Sequence, residues 1–405
     1  MLGIFYFGKF MNRYINLFKA NKTVRILSTI QLICYFGAWF SHIGVFTLLN
    51  KLGASDQMVA LTAAMAFIPS VIIAPFAGVI IDKFRAFPLF MTFMIIEAIT
   101  VALLLLVDSL SWFWFLQALV FIRMGLAGVY FQVEMSLLPK ILKNDELKLA
   151  NEIHSIIWAV SYTFGMAFAG IFINHFGVYN SFKFDFLIYL VGIFLLTRLN
   201  LKEEKKTLTT KAFFMIKEGF IYLKSNPLLI NLILIHGFVA VTSYDTLINI
   251  LAKYQYKEIL SFALILGFIN TVRALGLIIG PIVLSKFANN RTIFLIFIAQ
   301  GLGLFSWAIL QFNFYLSFIG LFLTGLSTST LWSYTYTLIQ THCDKRYYGR
   351  VIAYVDMVFL GIAATTSILT GYLYKLGLNA FCITILFGLN FIMAAFYYKR
   401  IYKRI

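Results

Sequence analysis

Twelve apolar stretches occupy most of this 405-residue chain. Each is close to the roughly 20 residues a helix needs to cross about 30 Å of hydrocarbon. They are placed at 24–50, 58–81, 88–107, 112–138, 148–174, 180–199, 228–252, 260–284, 291–310, 313–340, 350–374 and 377–398. A chain that is 61% hydrophobic and 12% charged has little soluble surface to offer. The expected fold is an all-α integral membrane protein of twelve transmembrane helices.

The distribution of positive charge orients those helices. Of the 33 Lys and Arg, Arg123 and Arg273 fall inside spans. Lys51, Lys183, Lys253, Lys257 and Lys375 lie on the connections after odd-numbered spans or at their edges, and the other 26 lie at the termini and on the connections after even-numbered spans. Such a bias places both termini in the cytoplasm. The formal charge of +17 then belongs to one membrane face, where anionic lipid headgroups are its natural partners. No compact basic domain carries it, so no nucleic-acid partner is expected. Cys34, Cys343 and Cys382 have no metal or redox spacing. No cleavable-signal pattern opens the chain; Lys9 to Arg25 reads as a basic, partly amphipathic lead-in. The 44 Phe and 22 Tyr accompany abundant Ile, Asn and Lys, and so say little about a ligand.

One long polar interruption, residues 200–227, holds Lys202, Glu203, Glu204, Lys205 and Lys206. It divides the chain into a six-helix half at 1–199, a linker at 200–227 and a second six-helix half at 228–405. Within the linker, Lys211 to Lys224 is expected to form an amphipathic helix at the cytoplasmic surface. The halves echo one another. Gly78-Val-Ile-Ile-Asp82-Lys83-Phe84 follows span 2, and Pro281-Ile-Val-Leu-Ser285-Lys286-Phe287 follows span 8. Span 5 turns at Gly177 and span 11 at Gly377. Weak similarity between two six-span halves is the mark of duplicated transporter folds, whose substrate site lies between the repeats near mid-membrane.

Three segments sharpen this. They are Ile68-Pro69 through Pro75-Phe76-Ala77-Gly78 to Asp82-Lys83-Phe84, Leu138-Pro139-Lys140 through Asp145-Glu146-Leu147 to Ala150-Asn151, and Tyr348-Gly349-Arg350-Val351-Ile352-Ala353. Together they make the chain resemble the major facilitator superfamily, and within it the branch of macrolide-efflux and enterobactin-exporter-like proteins. Two departures stand out. After Asp82-Lys83 the superfamily's glycine and paired basic residues are replaced by Phe84-Arg85-Ala86-Phe87, and Gly165-Met166 stands where antiporters carry Gly-Pro.

No catalytic or metal-binding constellation is present, and no phosphate-cradling loop with its lysine. The chain is therefore read as neither an enzyme nor an ATP-driven pump, with no cofactor. Intramembrane charges are costly and mark candidate sites. Glu97 and Arg123 sit at matching depths in spans 3 and 4 and are expected to pair. Asp245 in span 7 and Arg273 in span 8 form a second acid–base combination, with Asp245 the candidate proton carrier. His42 replaces the acid that drug antiporters often carry in span 1. At the cytoplasmic end, the resemblance implies a gate of Asp82, Arg85, Glu134 and Asp356, with Glu134 accepting Arg85; Glu152 reads as a helix cap. The resemblance also makes spans 1, 4, 7 and 10 central, which nominates Gln31, Tyr35, Trp39, Tyr130, Asn249, Trp332 and Tyr336 for the cavity. The expectation is a monomeric secondary transporter in a bacterial inner membrane, exporting an amphipathic organic molecule by alternating access in exchange for protons. A lipid flippase, for example of lysophospholipid, and a non-transporting receptor on a transporter scaffold are the alternatives.

Overall fold

A computed structural model describes residues 14–201, 212–344 and 347–402. Among these residues all regular structure is helical. Lipid offers no hydrogen-bond partners, so each apolar stretch satisfies its backbone internally. Spans 1 and 3–6 are Lys22–Lys51, Ala86–Leu106, Leu110–Ile141, Leu149–Phe176 and Val178–Leu196. Spans 7–12 are Pro227–Gln255, Phe262–Leu284, Ile293–Leu310, Phe314–His342, Arg350–Lys375 and Ala380–Ile401.

Two spans are broken. Span 2 consists of Asp56–Met65 and Ile68–Lys83. Pro69 stands in the first turn of the second piece, where its missing N–H costs nothing, and its ring would clash with a continuing helix. Span 7 runs as Pro227–Val239, a tight turn at Ala240–Thr242, a short helix Asp245–Ile250 and a wide turn at Leu251–Gln255. No proline or glycine marks this second break. Its freed groups are taken up by neighbours: the Thr242 carbonyl accepts from Arg273 at 2.7 Å. Ser243 shares a 3.0 Å hydrogen bond with Ser367 of span 11, and Thr246 donates to the Ser367 carbonyl.

Polar caps and glycine turns delimit the other helices. Asn21, Ser55, Asn313 and Asn379 accept from backbone N–H groups in the first turns of spans 1, 2, 10 and 12. Gly177 and Gly377, with φ of 84° and 96°, end spans 5 and 11 at matching places in the two halves.

The first six spans pack together, chiefly 1 on 5 and 6, 3 on 4 and 6, and 2 on 4. The last six pack in the corresponding way, with 7 on 10, 11 and 12, 8 on 10, and 9 on 10 and 12. Span 2 against span 11 and span 5 against span 8 join the halves. The outer surface is apolar, with Phe76, Trp114, Phe168, Ile282 and Phe396 all more than half exposed, as a lipid-facing wall requires.

Two helices lie on the face where span 1 begins and span 12 ends. Residues 14–20 form a short lead-in helix whose Tyr14 and Leu17 pack on Leu138, Leu142, Leu149 and Ile153. Tyr14 donates to Glu152 at 2.8 Å, so that acid serves a tertiary contact and not the helix cap expected of it. Ala212–Lys224 forms the linker helix. It is held to the start of span 11 by an Arg350–Glu218 ion pair at 2.7 Å and by Tyr222 stacked on Tyr347 at 4.2 Å. Its Phe220 and Ile221 remain exposed. The charged stretch from Lys202 to Lys206 lies outside the described residues.

Candidate functional site

Residues of the first half line a cavity of about 260 Å³. Span 1 supplies Gln31, Tyr35, Trp39 and His42, span 3 supplies Glu97, and span 4 supplies Arg123 and Tyr130. All seven are residues singled out from the sequence. Trp158 of span 5 and Tyr189 of span 6 add aromatic rings to the wall that the sequence reading did not single out. The rings pack on one another, Trp39 against Tyr162 at 4.6 Å and Trp158 against Tyr162 at 5.2 Å.

The charge pairing differs from the expected one. Arg123 makes its ion pair with Asp185 of span 6 at 2.6 Å, not with Glu97. Asp185 is fully buried and also accepts from Ser41 of span 1. Gly37 makes room for this carboxylate, since a Cβ there would lie 2.6 Å from Asp185 Oδ1. One turn further along span 6, Tyr189 shares the Asp185 face. Its ring lies 5.6 Å from the Arg123 guanidinium, and it lines the cavity together with Glu97. Glu97 is 5% exposed, and its Oε1 has no hydrogen-bond partner. Asp185 is legible as a lone acid in the run Phe184-Asp185-Phe186-Leu187, but matching depth alone points Arg123 to Glu97.

The second expected pairing is likewise replaced. Asp245 faces His42 across the two halves, with Nε2 and Oδ1 3.8 Å apart. Arg273 instead donates to the Thr242 carbonyl and lies over the Tyr244 ring at 4.8 Å. The break in span 7 explains both facts: it presents an open carbonyl to Arg273 and turns Asp245 toward span 1. Asn249 donates to the Asp245 carbonyl within its own helix and does not line the described cavity. Trp332 and Tyr336 of span 10 form a separate group, stacked at 5.1 Å with His236 beside them. His236 pairs with the Thr335 hydroxyl at 2.8 Å. At the other end, Gln31 meets His154, a ring that packs against Phe131.

Among the described residues, the expected Arg85–Glu134 contact of the gate is not made. Arg85 is exposed, Glu134 is buried in span 4, and no ion pair joins them among the described residues. Asp356 is half-buried in span 11 and has no ion-pair partner among those residues. The Asp82 side chain lies outside the described residues.

On the opposite face the halves are closed. Lys253 reaches Asp56 Oδ1 at 3.1 Å and the Ala54 carbonyl at 2.9 Å, and the Tyr254 hydroxyl donates to the same carboxylate. Tyr254 also stacks on Tyr374 at 5.6 Å. Deeper in, Gly170 of span 5 meets Gly267 of span 8 with backbone against backbone. Tyr162 and Thr271 bridge the same pair of helices.

Twelve spans in two similar halves, closed together on one face and with a charge-lined cavity in the first half, define a multi-pass membrane protein of transporter architecture. The chain belongs to the Major Facilitator Superfamily, whose family model matches residues 27–364. It is 27% identical over 228 residues to the uncharacterized MFS-type transporter YfiS of Bacillus subtilis (strain 168), a match covering 54% of this chain and 53% of that one. The chain thus spans about half the length of that relative. It is 21% identical over 328 residues to the uncharacterized MFS-type transporter YvqJ of the same organism, covering 77% and 76% of the two chains. Among solved structures, the nucleoside transporter NupG superposes with a TM-score of 0.69 at 12% identity, covering 94% of this chain and 98% of that one. A bacterial homolog of the human lysosomal transporter Spinster, inward-facing and unoccupied, gives 0.68 at 14% identity, covering 94% and 96%. A structure of proton-dependent oligopeptide transporters gives 0.71 at 14% identity, covering 95% and 99%. These likenesses establish the fold alone.

Proposed function

We propose that the chain is a secondary exporter that moves an amphipathic organic molecule out of a bacterial cytoplasm in exchange for protons, in the manner of the macrolide-efflux and enterobactin-exporter-like branch. The observation that carries this reading is the closure of one face, by Asp56–Lys253, His42–Asp245 and the Gly170–Gly267 contact, over a cavity lined by intramembrane charges. The basic bias of the sequence puts the lead-in helix, the linker at 200–227 and the end of span 12 on the cytoplasmic side. The closed face is then external, and the halves at 1–199 and 228–405 rock against one another, with the cavity carried by the first.

Coupling is assigned to Asp245. With Asp245 ionised and His42 protonated, the pair attracts across the external seam. A proton gained by the acid or lost by the imidazole removes that attraction, so proton traffic and opening of this face are linked. The test is flux in proteoliposomes under an imposed pH gradient, with compounds chosen by metabolite and lipid profiling of cells with and without the protein. Asp245→Asn is expected to abolish gradient-driven accumulation while leaving downhill exchange intact. Full gradient-driven accumulation by that variant would make Asp245 structural. Scrambling of lysophospholipid without flux of any soluble compound would replace the export reading with a flippase.

A further inference from the structure

The charges around the cavity do not balance. Arg123 is neutralised by Asp185 at 2.6 Å, and that carboxylate is further occupied by Ser41. His42 faces Asp245. Among the described residues, Glu97 is the one charged group lining the cavity without an ion-pair partner, and its Oε1 also lacks a hydrogen bond. It is almost wholly buried, at 5% exposure. A buried carboxylate oxygen without a partner is unfavourable, and a cationic group brought close to it offsets that penalty. Glu134, also buried in span 4, adds no compensating positive charge.

The rest of the wall suits the same kind of ligand. Trp39, Tyr130 and Trp158 present aromatic surface, and aromatic faces attract cations most strongly where water is excluded. The volume of about 260 Å³ lies just below the roughly 300–1,000 Å³ of drug-sized sites. It has room for a small charged head and an adjoining ring. An anion would have to displace Asp185 from Arg123, against an ion pair already made at close range.

Resting on the reading of this cavity as the substrate site, we propose that it selects a lipophilic monocation, with Glu97 as the counter-ion and the aromatic wall holding the apolar part. Permanently charged and uncharged ligands of one shape test this directly: benzyltrimethylammonium, its carbon isostere neopentylbenzene and the anion benzylsulfonate. Their Kd values are measured by calorimetry on the full chain in nanodiscs, with empty nanodiscs subtracted. The cation is expected to bind at least about tenfold more tightly than either of the others, a difference of about 1.4 kcal/mol. Glu97→Gln should weaken the cation to the level of the isostere without changing the isostere itself, and Glu97→Asp should retain part of the preference. The three-ligand comparison on the unaltered protein decides the matter even if a variant fails to fold. Equal binding of cation and isostere, absence of saturable cation binding, or preference for the anion would each overturn the proposal. None of these results bears on whether an organic compound is exported under a proton gradient, so the transport reading stands or falls on its own flux experiment.

Discussion

Gly170 and Gly267 bring the backbones of spans 5 and 8, one from each half, into direct contact, and an alanine at either position should hold the halves apart. A Cβ on Gly170 would stand 2.7 Å from the Ala263 carbonyl oxygen and 3.2 Å from Gly267 Cα. A Cβ on Gly267 would stand 2.8 Å from the Met166 carbonyl oxygen. Ordinary contact begins near 3.4 Å, so helices 5 and 8 must separate by about 0.6–0.7 Å. The obstructing atoms are backbone, and no side chain can swing aside to absorb the strain. Overpacking of this kind costs roughly 1–3 kcal/mol. In a conformation where the seam is open the added methyl meets nothing, so the whole cost falls on the closed state. The equilibrium should therefore move toward the open state by about 5- to 150-fold. The assay is double electron–electron resonance in nanodiscs, with spin labels at Lys51→Cys and Lys257→Cys in a background lacking Cys34, Cys343 and Cys382. Gly170→Ala and Gly267→Ala should each enlarge the long-distance population. Gly276→Ala is the control. Its Cβ would stand 2.5 Å from the Phe322 carbonyl oxygen, but spans 8 and 10 belong to one half, so it should lower thermal stability and leave the distances alone. Distance distributions unchanged by both seam alanines, or changed equally by the control, would refute the reasoning.

Other expectations concern topology, the buried ion pair and the linker. Cysteine probes at Lys205 and Arg404 should resist membrane-impermeant reagent applied to intact cells, whereas one at Lys257 should react; external labelling at Lys205 would invert the orientation. Arg123→Leu or Asp185→Leu alone strands a buried charge and should destabilise the protein by about 3–5 kcal/mol. The double replacement should recover most of that in a thermal unfolding assay, and a single variant as stable as the parent would show the pair contributes nothing. Arg350→Ala removes a half-exposed contact with Glu218, worth at most about 1 kcal/mol. It should raise hydrogen exchange along Ala212–Lys224 with little change in global stability; unaltered exchange there would mean Tyr222 on Tyr347 suffices to hold the helix.

What could be read from the chain alone was the one-dimensional part of the problem. An apolar run long enough to cross a bilayer has to be a helix, because nothing in lipid satisfies a backbone that is not. Spans 1, 10 and 12 therefore lie where hydropathy puts them, and Gly177 and Gly377 mark the same turn in each half. Depth was legible too, because each residue adds 1.5 Å along the axis. It made Glu97 and Arg123 look like partners. Pairing also depends on azimuth, and each residue turns a helix by about 100°, so the neighbour a side chain meets is set by how the helices pack. Packing brought Asp185 to Arg123 through the space left by Gly37, and left Glu97 with a free oxygen. The same limit hid the break in span 7. Pro69 announces the interruption of span 2, but Val241-Thr242-Ser243 carries no such signal, and a carbonyl can be left open there only because Arg273, from another span, arrives as its donor. That contact belongs to the tertiary structure, and with it comes the turn of Asp245 toward His42 in the opposite half.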